Sequence, residues 1–297
     1  MAKLSVEPVA ERATVDDPAL DFCLWSYTPP QPPGSADSLR SINLLLDSAE
    51  CAGVGAEMRQ LCQVLRAAIG DWQTVWGVKW ADDQLSWELY FYDYARTQRR
   101  CAVADVVAAL SEQFDCQLRV DERIHYFMFS VDIDVELLRR QRPLTSCNLY
   151  LGNVANHGAM ISSGLSYHYQ DGVAELRNLY YFFAAREGLD DVCEKLALSV
   201  HNPSDQLPLA QLLPSPLLGC RTLVVAHKSQ SDALYFSGIA ASALDYAVRR
   251  AALPAPLVAA FKSDMHRYQH LLFDIGVDYR TVDGKVEWSK FSYYGVM

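Results

Sequence analysis

The chain has 297 residues, 51% apolar and 21% charged, a balance that supports a sizeable hydrophobic core. A formal net charge of −10 and a sequence pI near 5.1 exclude nucleic acid and anionic membrane as main partners, since both select a dense basic surface. A small phosphorylated ligand stays admissible, because it needs only a few cations placed locally.

The eight cysteines (Cys23, Cys51, Cys62, Cys101, Cys116, Cys147, Cys193 and Cys220) form no C-x-x-C pair and have no His partners at zinc-finger spacing. No structural metal site is indicated, and reduced thiols in a cytoplasmic protein are expected. The first twenty residues lack an apolar signal segment, and no later apolar run approaches the ~18 residues of a membrane span.

Residues 1–38 read as an irregular N-terminal segment, with the Pro/Gly/Ser-rich 28–38 as a surface loop. Residues 39–297 read as one barrel domain. No later linker separates two units, and the best candidate, 202–216, carries enough leucine to pack down. From residue 39 the pattern recurs. Residues 38–53 and 55–72 carry apolar residues at helical spacing. TVWGVKW and SWELYFYDY follow as strands, turning at Ala81-Asp82-Asp83-Gln84. Residues 100–114 read as a helix, and IHYFMFSVDI and CNLYLGN as strands. Residues 166–183 form a hairpin turning at Asp171-Gly172, and 189–200 a helix. Residues 222–239 form a hairpin turning near Ser229–Asp232. A helical stretch over 243–268 breaks near Pro254. The chain closes with a hairpin turning at Asp283-Gly284, where Asp-Gly is a strong turn signal.

About five hairpins with helices between them make the strands antiparallel and argue against a doubly wound parallel sheet. Alternation splits each strand into two faces. Trp87, Leu89 and Phe91 oppose Glu88, Tyr90 and Tyr92; Cys147, Leu149 and Leu151 oppose Ser146, Asn148 and Tyr150. In the last strand Trp288, Lys290, Ser292 and Tyr294 are expected on one face. An open sheet with its second face in water fits the same alternation. Closure is the expectation adopted, because it removes exposed edges and leaves a lumen lined by the polar and aromatic faces.

General catalytic motifs are absent: there is no G-x-S-x-G, H-E-x-x-H, P-loop or G-x-G-x-x-G. Asp190-Asp191 reads as a helix N-terminus. His266 and His270 fall four apart on a helix, but lack a third metal ligand.

The order of helices and hairpins, joined to the strand texts, resembles the ABBA prenyltransferases, and within them most closely the cyanobactin peptide prenyltransferases. The resemblance is carried by residues 232–250 and 273–295, by SWELYFYDY, and by FMFSVDI with CNLYLGN. It implies an α+β fold in which repeated α-α-β-β units close a ten-stranded antiparallel barrel with helices outside. It also implies transfer of a C5 or C10 prenyl group from dimethylallyl or geranyl diphosphate, with Mg²⁺, onto a side chain or terminus of a ribosomal, often cyclic, peptide.

On that resemblance Lys79, Arg177, Lys228 and Lys290 are candidates for the diphosphate. Tyr90, Tyr92, Tyr150, Tyr180, Tyr235 and Tyr294 are candidates to shield the allylic cation, and Glu88 is the candidate catalytic carboxylate. Val224 and Val225, with Tyr235 and Phe236 across the turn, are expected to set donor length and to favour geranyl. The family pattern puts an arginine where this chain has Trp87-Glu88, and basic residues where it has Ser146, Asn148 and Tyr150. No metal ligand is assigned. Two rivals accompany this reading: an enzyme of the same fold acting on a small aromatic acceptor, and a non-catalytic barrel binding a peptide or apolar ligand.

Overall fold

A computed structural model describes residues 10–18, 37–92, 101–121, 123–152, 163–202 and 207–297. The expected loop over 28–36, Cys23, the Asp93 and Tyr94 end of the second strand text, and residues 203–206 of the leucine-bearing connection lie outside these. The first half of the chain contains α1 (Ile42–Cys51), α2 (Gly55–Ile69), β1 (Thr74–Ala81), β2 (Gln84–Tyr92), α3 (Val103–Leu110), β3 (Met128–Ile133), α4 (Val135–Leu138) and β4 (Ser146–Gly152). The second half contains β5 (Ser163–Gln170), β6 (Val173–Ala184), α5 (Leu189–Ala197), α6 (Leu209–Leu212), β7 (Thr222–Lys228) and β8 (Asp232–Ala240), then α7 (Ala241–Arg250), α8 (Ala255–Asp264), β9 (Leu272–Val282) and β10 (Lys285–Val296).

The ten strands close into one antiparallel barrel, ordered β1-β10-β9-β8-β7-β6-β5-β4-β3-β2. Closure joins the first strand to the last, from Val75 opposite Val296 to Ala81 opposite Lys290. The turns at Asp82-Asp83, Asp171-Gly172 and Asp283-Gly284 hold both central residues at positive φ, the geometry that matches the twist of tightly paired strands. These turns, the Ser229–Ser231 turn and the α4 connection between β3 and β4 all lie at one end of the barrel. The connections to the longer helices lie at the other.

The main core sits between barrel and helices. Trp76, Val78, Trp87, Leu89, Phe91 and Phe129 are fully buried there, against Leu45, Met58, Leu65 and Val106 of α1, α2 and α3. Helix pairs precede β1, β7 and β9, and one helix precedes β3; among the described residues none lies between β4 and β5. The outer face of the β5–β6 hairpin is correspondingly exposed, with Leu176 at 52%. No helix among the described residues is long and apolar enough to cross a membrane.

Several local expectations are revised. The stretch read as helix through residue 268 leaves the α-helical path after Asp264 and finishes as a 3₁₀ turn, Met265–Tyr268. His266 is consequently exposed while His270 is buried, and the two do not converge. Asp134 caps α4, accepting from the Leu137 N–H at 2.8 Å, and pairs with Arg142 at 2.7 Å. Residues 10–18 are tied to α2 by the ion pair Glu11–Arg66 and to the segment just before α1 by Asp17–Arg40, each 2.7 Å.

Candidate functional site

Period-two alternation aims one face of every strand inward, and the lumen holds a cavity of about 380 Å³. That volume falls within the range of small-molecule sites, roughly 300–1,000 Å³. Its wall includes Lys79, Glu88, Tyr90, Tyr92, Tyr150, Arg177, Tyr180, Val224, Lys228, Tyr235, Lys290 and Tyr294. Val225 is not on it: the side chain is fully buried on the outer face among the helix-facing residues, because alternation admits only one of two consecutive valines. Phe236 faces outward for the same reason.

Trp288 is a second correction. The β9–β10 register slips between Trp288 and Lys290, so that Ser289 bulges. One extra residue turns Trp288 to the outside, stacked on Phe291 at 5.9 Å under Arg250, while Lys290, Ser292 and Tyr294 stay inside. A similar slip in the β5–β6 register makes Arg177 the extra residue, at the cavity mouth.

Along the barrel axis the lumen is graded. Charge gathers at the hairpin end, tyrosines ring the middle, and Val75, Phe127, Met128, Leu272 and Val296 make a separate apolar cluster towards the other end. The ring is built from the second strand of each hairpin: Tyr90, Tyr150, Tyr180, Tyr235 and Tyr294. Neighbouring ring centres lie 5.9 Å (Tyr294–Tyr90), 6.2 Å (Tyr90–Tyr150), 6.4 Å (Tyr150–Tyr180) and 6.1 Å (Tyr180–Tyr235) apart. Burial raises the pKa of all five phenols, so they keep their protons at neutral pH and present π-faces without charge.

At the hairpin end each of the four cavity cations has a carboxylate. Lys79 pairs with buried Glu88 and, at 2.5 Å, with half-exposed Asp132. Glu88 also accepts from Ser130, from Tyr150 OH at 3.1 Å and from Asn148 Nδ2 at 3.3 Å. Burial alone would push the Glu88 carboxyl up; the Lys79 ammonium and the hydrogen bonds outweigh it and hold the pKa at about 2. A carboxylate that acidic is a weak base at neutral pH, so its chemistry here is that of a fixed negative charge.

Lys228 bonds Asp278 at 2.6 Å and lies 5.6 Å from the centre of the Tyr235 ring. Burial, only partly offset by Asp278, lowers the Lys228 ammonium to about 8. Lys290 stands 4.0 Å from the other Asp278 oxygen, and Arg177 pairs with Glu175 at 2.9 Å. Four cations therefore face four carboxylates.

Asp278, Ser130, His168, Asn178 and Asp274 are lumen residues that the sequence did not single out, and Asp132, one of the paired acids Asp132-x-Asp134, joins them while Asp134 caps α4. Asp274, Gly276 and Asp278 alternate with apolar Phe273, Ile275 and Val277, the pattern that marks a polar inner face. Asp274 is explained by a third bulge: it accepts the N–H of Gly238, which that bulge frees, and the Ser237 hydroxyl, both at 2.8 Å. Burial raises its pKa to about 7.

Among the described residues no group of three or more His, Cys, Asp or Glu gathers to hold a metal ion. Asp278 already serves two ammonium groups, which makes it a poor protein ligand for a divalent cation. In comparisons with known proteins, the chain matches no family model and no curated protein.

Proposed function

We propose that the barrel is a prenyltransferase that carries a C5 or C10 group from an allylic diphosphate to a peptide. The observation that carries this reading is the grading of one cavity, from Lys79, Lys228 and Lys290 through five tyrosines to an apolar end. An allylic diphosphate has the matching grading: an anionic head, a carbon that turns cationic when the C–O bond ionises, and an apolar tail. The lysines and Arg177 hold the head. Neutral tyrosine faces and the ionised Glu88 stabilise the allylic cation, and the enclosed wall keeps water from capturing it. Among the described residues no carboxylate cluster is placed to hold Mg²⁺; bound together with the donor, it would supply neutralising charge to the leaving group. The charged mouth, with Arg177, Lys290 and half-exposed Asp132 at its rim, suits an acceptor too large to be engulfed.

The test is incubation with both diphosphates, Mg²⁺ and a panel of cyclic peptides, read by mass for an added C5 or C10 unit. Addition to small phenols or indoles but not to peptides moves the acceptor class and leaves the donor reading intact.

The balance of four cations against four carboxylates favours a second reading, a barrel that binds an apolar or peptide ligand without turnover. Stoichiometric binding with no release of pyrophosphate in the same assay would select it.

A further inference from the structure

Each belt tyrosine stands opposite a small residue on the next strand: Tyr90 faces Ser130, Tyr150 Ser166, Tyr180 Ala226, Tyr235 Gly276 and Tyr294 Gly77. At the two glycines the ring lies on bare backbone. A Cβ on Gly276 would sit 2.6 Å from Tyr235 Cε1 and 2.7 Å from Ser292 Oγ. A Cβ on Gly77 would sit 2.8 Å from both Cδ1 and Cε1 of Tyr294. Gly164, also on the inner wall, is different: its Cβ would meet Phe182 at an ordinary 3.5 Å.

We propose that Gly77 and Gly276 set the bore of the cavity at the tyrosine belt, and so determine how long an apolar chain can pass from the lysine end to the apolar end. This rests on the reading of the cavity as an isoprenyl site. The two strands bearing these glycines, β1 and β9, flank β10, so both rings bound the same quadrant of the wall. Outward lies backbone, so a ring lifted by a methyl group can retreat only into the lumen. Restoring ordinary carbon contact requires a displacement of roughly 1 Å. No other part of the wall compensates, because Tyr90 already stands 5.9 Å from Tyr294 and Tyr180 6.1 Å from Tyr235. A dimethylallyl group ends at the belt, since Lys228 lies only 5.6 Å from the Tyr235 ring, whereas a geranyl chain must run on between the rings to the apolar end.

The experiment compares wild type with Gly77→Ala, Gly276→Ala and the control Gly164→Ala. Each is titrated with inorganic pyrophosphate, dimethylallyl and geranyl S-thiolodiphosphate, and the two free alcohols. Gly77→Ala and Gly276→Ala are expected to keep pyrophosphate and dimethylallyl affinity within about twofold, and to bind the geranyl ligand about tenfold more weakly, the loss of roughly two buried methylene groups. Gly164→Ala should match wild type, and Tyr235→Leu added to Gly276→Ala should restore geranyl binding. An unchanged geranyl-to-dimethylallyl ratio in the folded alanine variants overturns the proposal, as does failure of the restoring substitution. If the alanine variants do not fold, Tyr235→Leu alone must raise that ratio, and an unchanged ratio overturns the proposal equally. A wild type that binds the alcohols but neither thiolodiphosphate refutes the prenyl-donor reading and leaves the bore to be judged on the alcohols. A wild type that binds none of them refutes both.

Discussion

Glu88→Gln keeps the shape of the side chain and removes a charge on which four neighbours depend. Glu88 is 4% exposed, and its pKa is held at about 2 against an ordinary 4.5. A carboxyl whose folded pKa lies below its unfolded value stabilises the fold fully above the unfolded value, and the contribution is lost as pH falls through that window. The gap between 4.5 and about 2 corresponds to about 3 kcal/mol. Breaking a buried ion pair costs roughly 3–5 kcal/mol, and Lys79 keeps Asp132 at 2.5 Å, so the lower end applies. Urea unfolding of wild type and Glu88→Gln from pH 3 to pH 8 measures this. The variant is expected to be less stable by about 3 kcal/mol at pH 7, with the difference shrinking below pH 4.5. Equal stability at pH 7, or a difference that stays constant into acid, would mean that the Glu88 charge does not stabilise the fold. Replacing Lys79 and Glu88 together by Met and Leu should recover part of the loss, since the one carboxylate that then loses its cation, Asp132, is half-exposed and keeps Asn148 at 3.0 Å.

The diphosphate reading predicts that Lys290→Ala weakens pyrophosphate binding by roughly 1.5–3 kcal/mol, the scale of a charge-assisted hydrogen bond, with an unchanged dissociation constant counting against it. Lys228 must be protonated to bind an anion and its pKa is lowered to about 8, so pyrophosphate affinity should fall as pH rises through 8. Lys228→Arg should flatten that fall, and a wild-type profile flat to pH 9.5 would exclude Lys228 from the site. Geranyl diphosphate should outcompete dimethylallyl diphosphate at equal concentration, while Val224→Phe should reverse the preference by filling the apolar end of the lumen; Val225→Phe, on the outer face, should instead reduce stability. Burial pushes the thiols of Cys62, Cys147 and Cys220 up to about 12, so native protein should resist alkylation there and urea-unfolded protein should not, as peptide mass mapping would show.

Much of the architecture is local and was legible in the sequence. Asp-Gly at 171–172 and 283–284 marks turns because few other pairs tolerate two positive φ values, and the alternation of Trp87 to Tyr92 assigns inner and outer faces without coordinates. Bulges were not legible. One extra residue at Ser289 reverses the facing of Trp288, and nothing in GKVEWSKF marks where the slip occurs. The partners of the lumen cations were also hidden: Lys79 meets Asp132 across 53 residues and Lys228 meets Asp278 across 50, pairings that exist only once successive hairpins pair, β2 with β3 and β8 with β9. Glu88 was the candidate catalytic carboxylate on the resemblance and on its place in the polar face of its strand; its low pKa follows from Lys79 two positions along the paired strand, which depends on register. The small residues opposite the tyrosines likewise mean little until their neighbours are known.

The proposed function places an allylic diphosphate in one graded cavity, head at the lysines and chain through the tyrosines. A crystal structure of the protein with geranyl S-thiolodiphosphate and Mg²⁺ tests it most directly. Phosphate oxygens are expected within hydrogen-bond reach of Lys228 and Lys290, with Asp278 displaced from at least one of them and the geranyl chain passing Tyr235 and Tyr294 towards Val224. A lumen that stays empty at saturating ligand, or a chain lying outside the belt with its head away from the lysines, would contradict it.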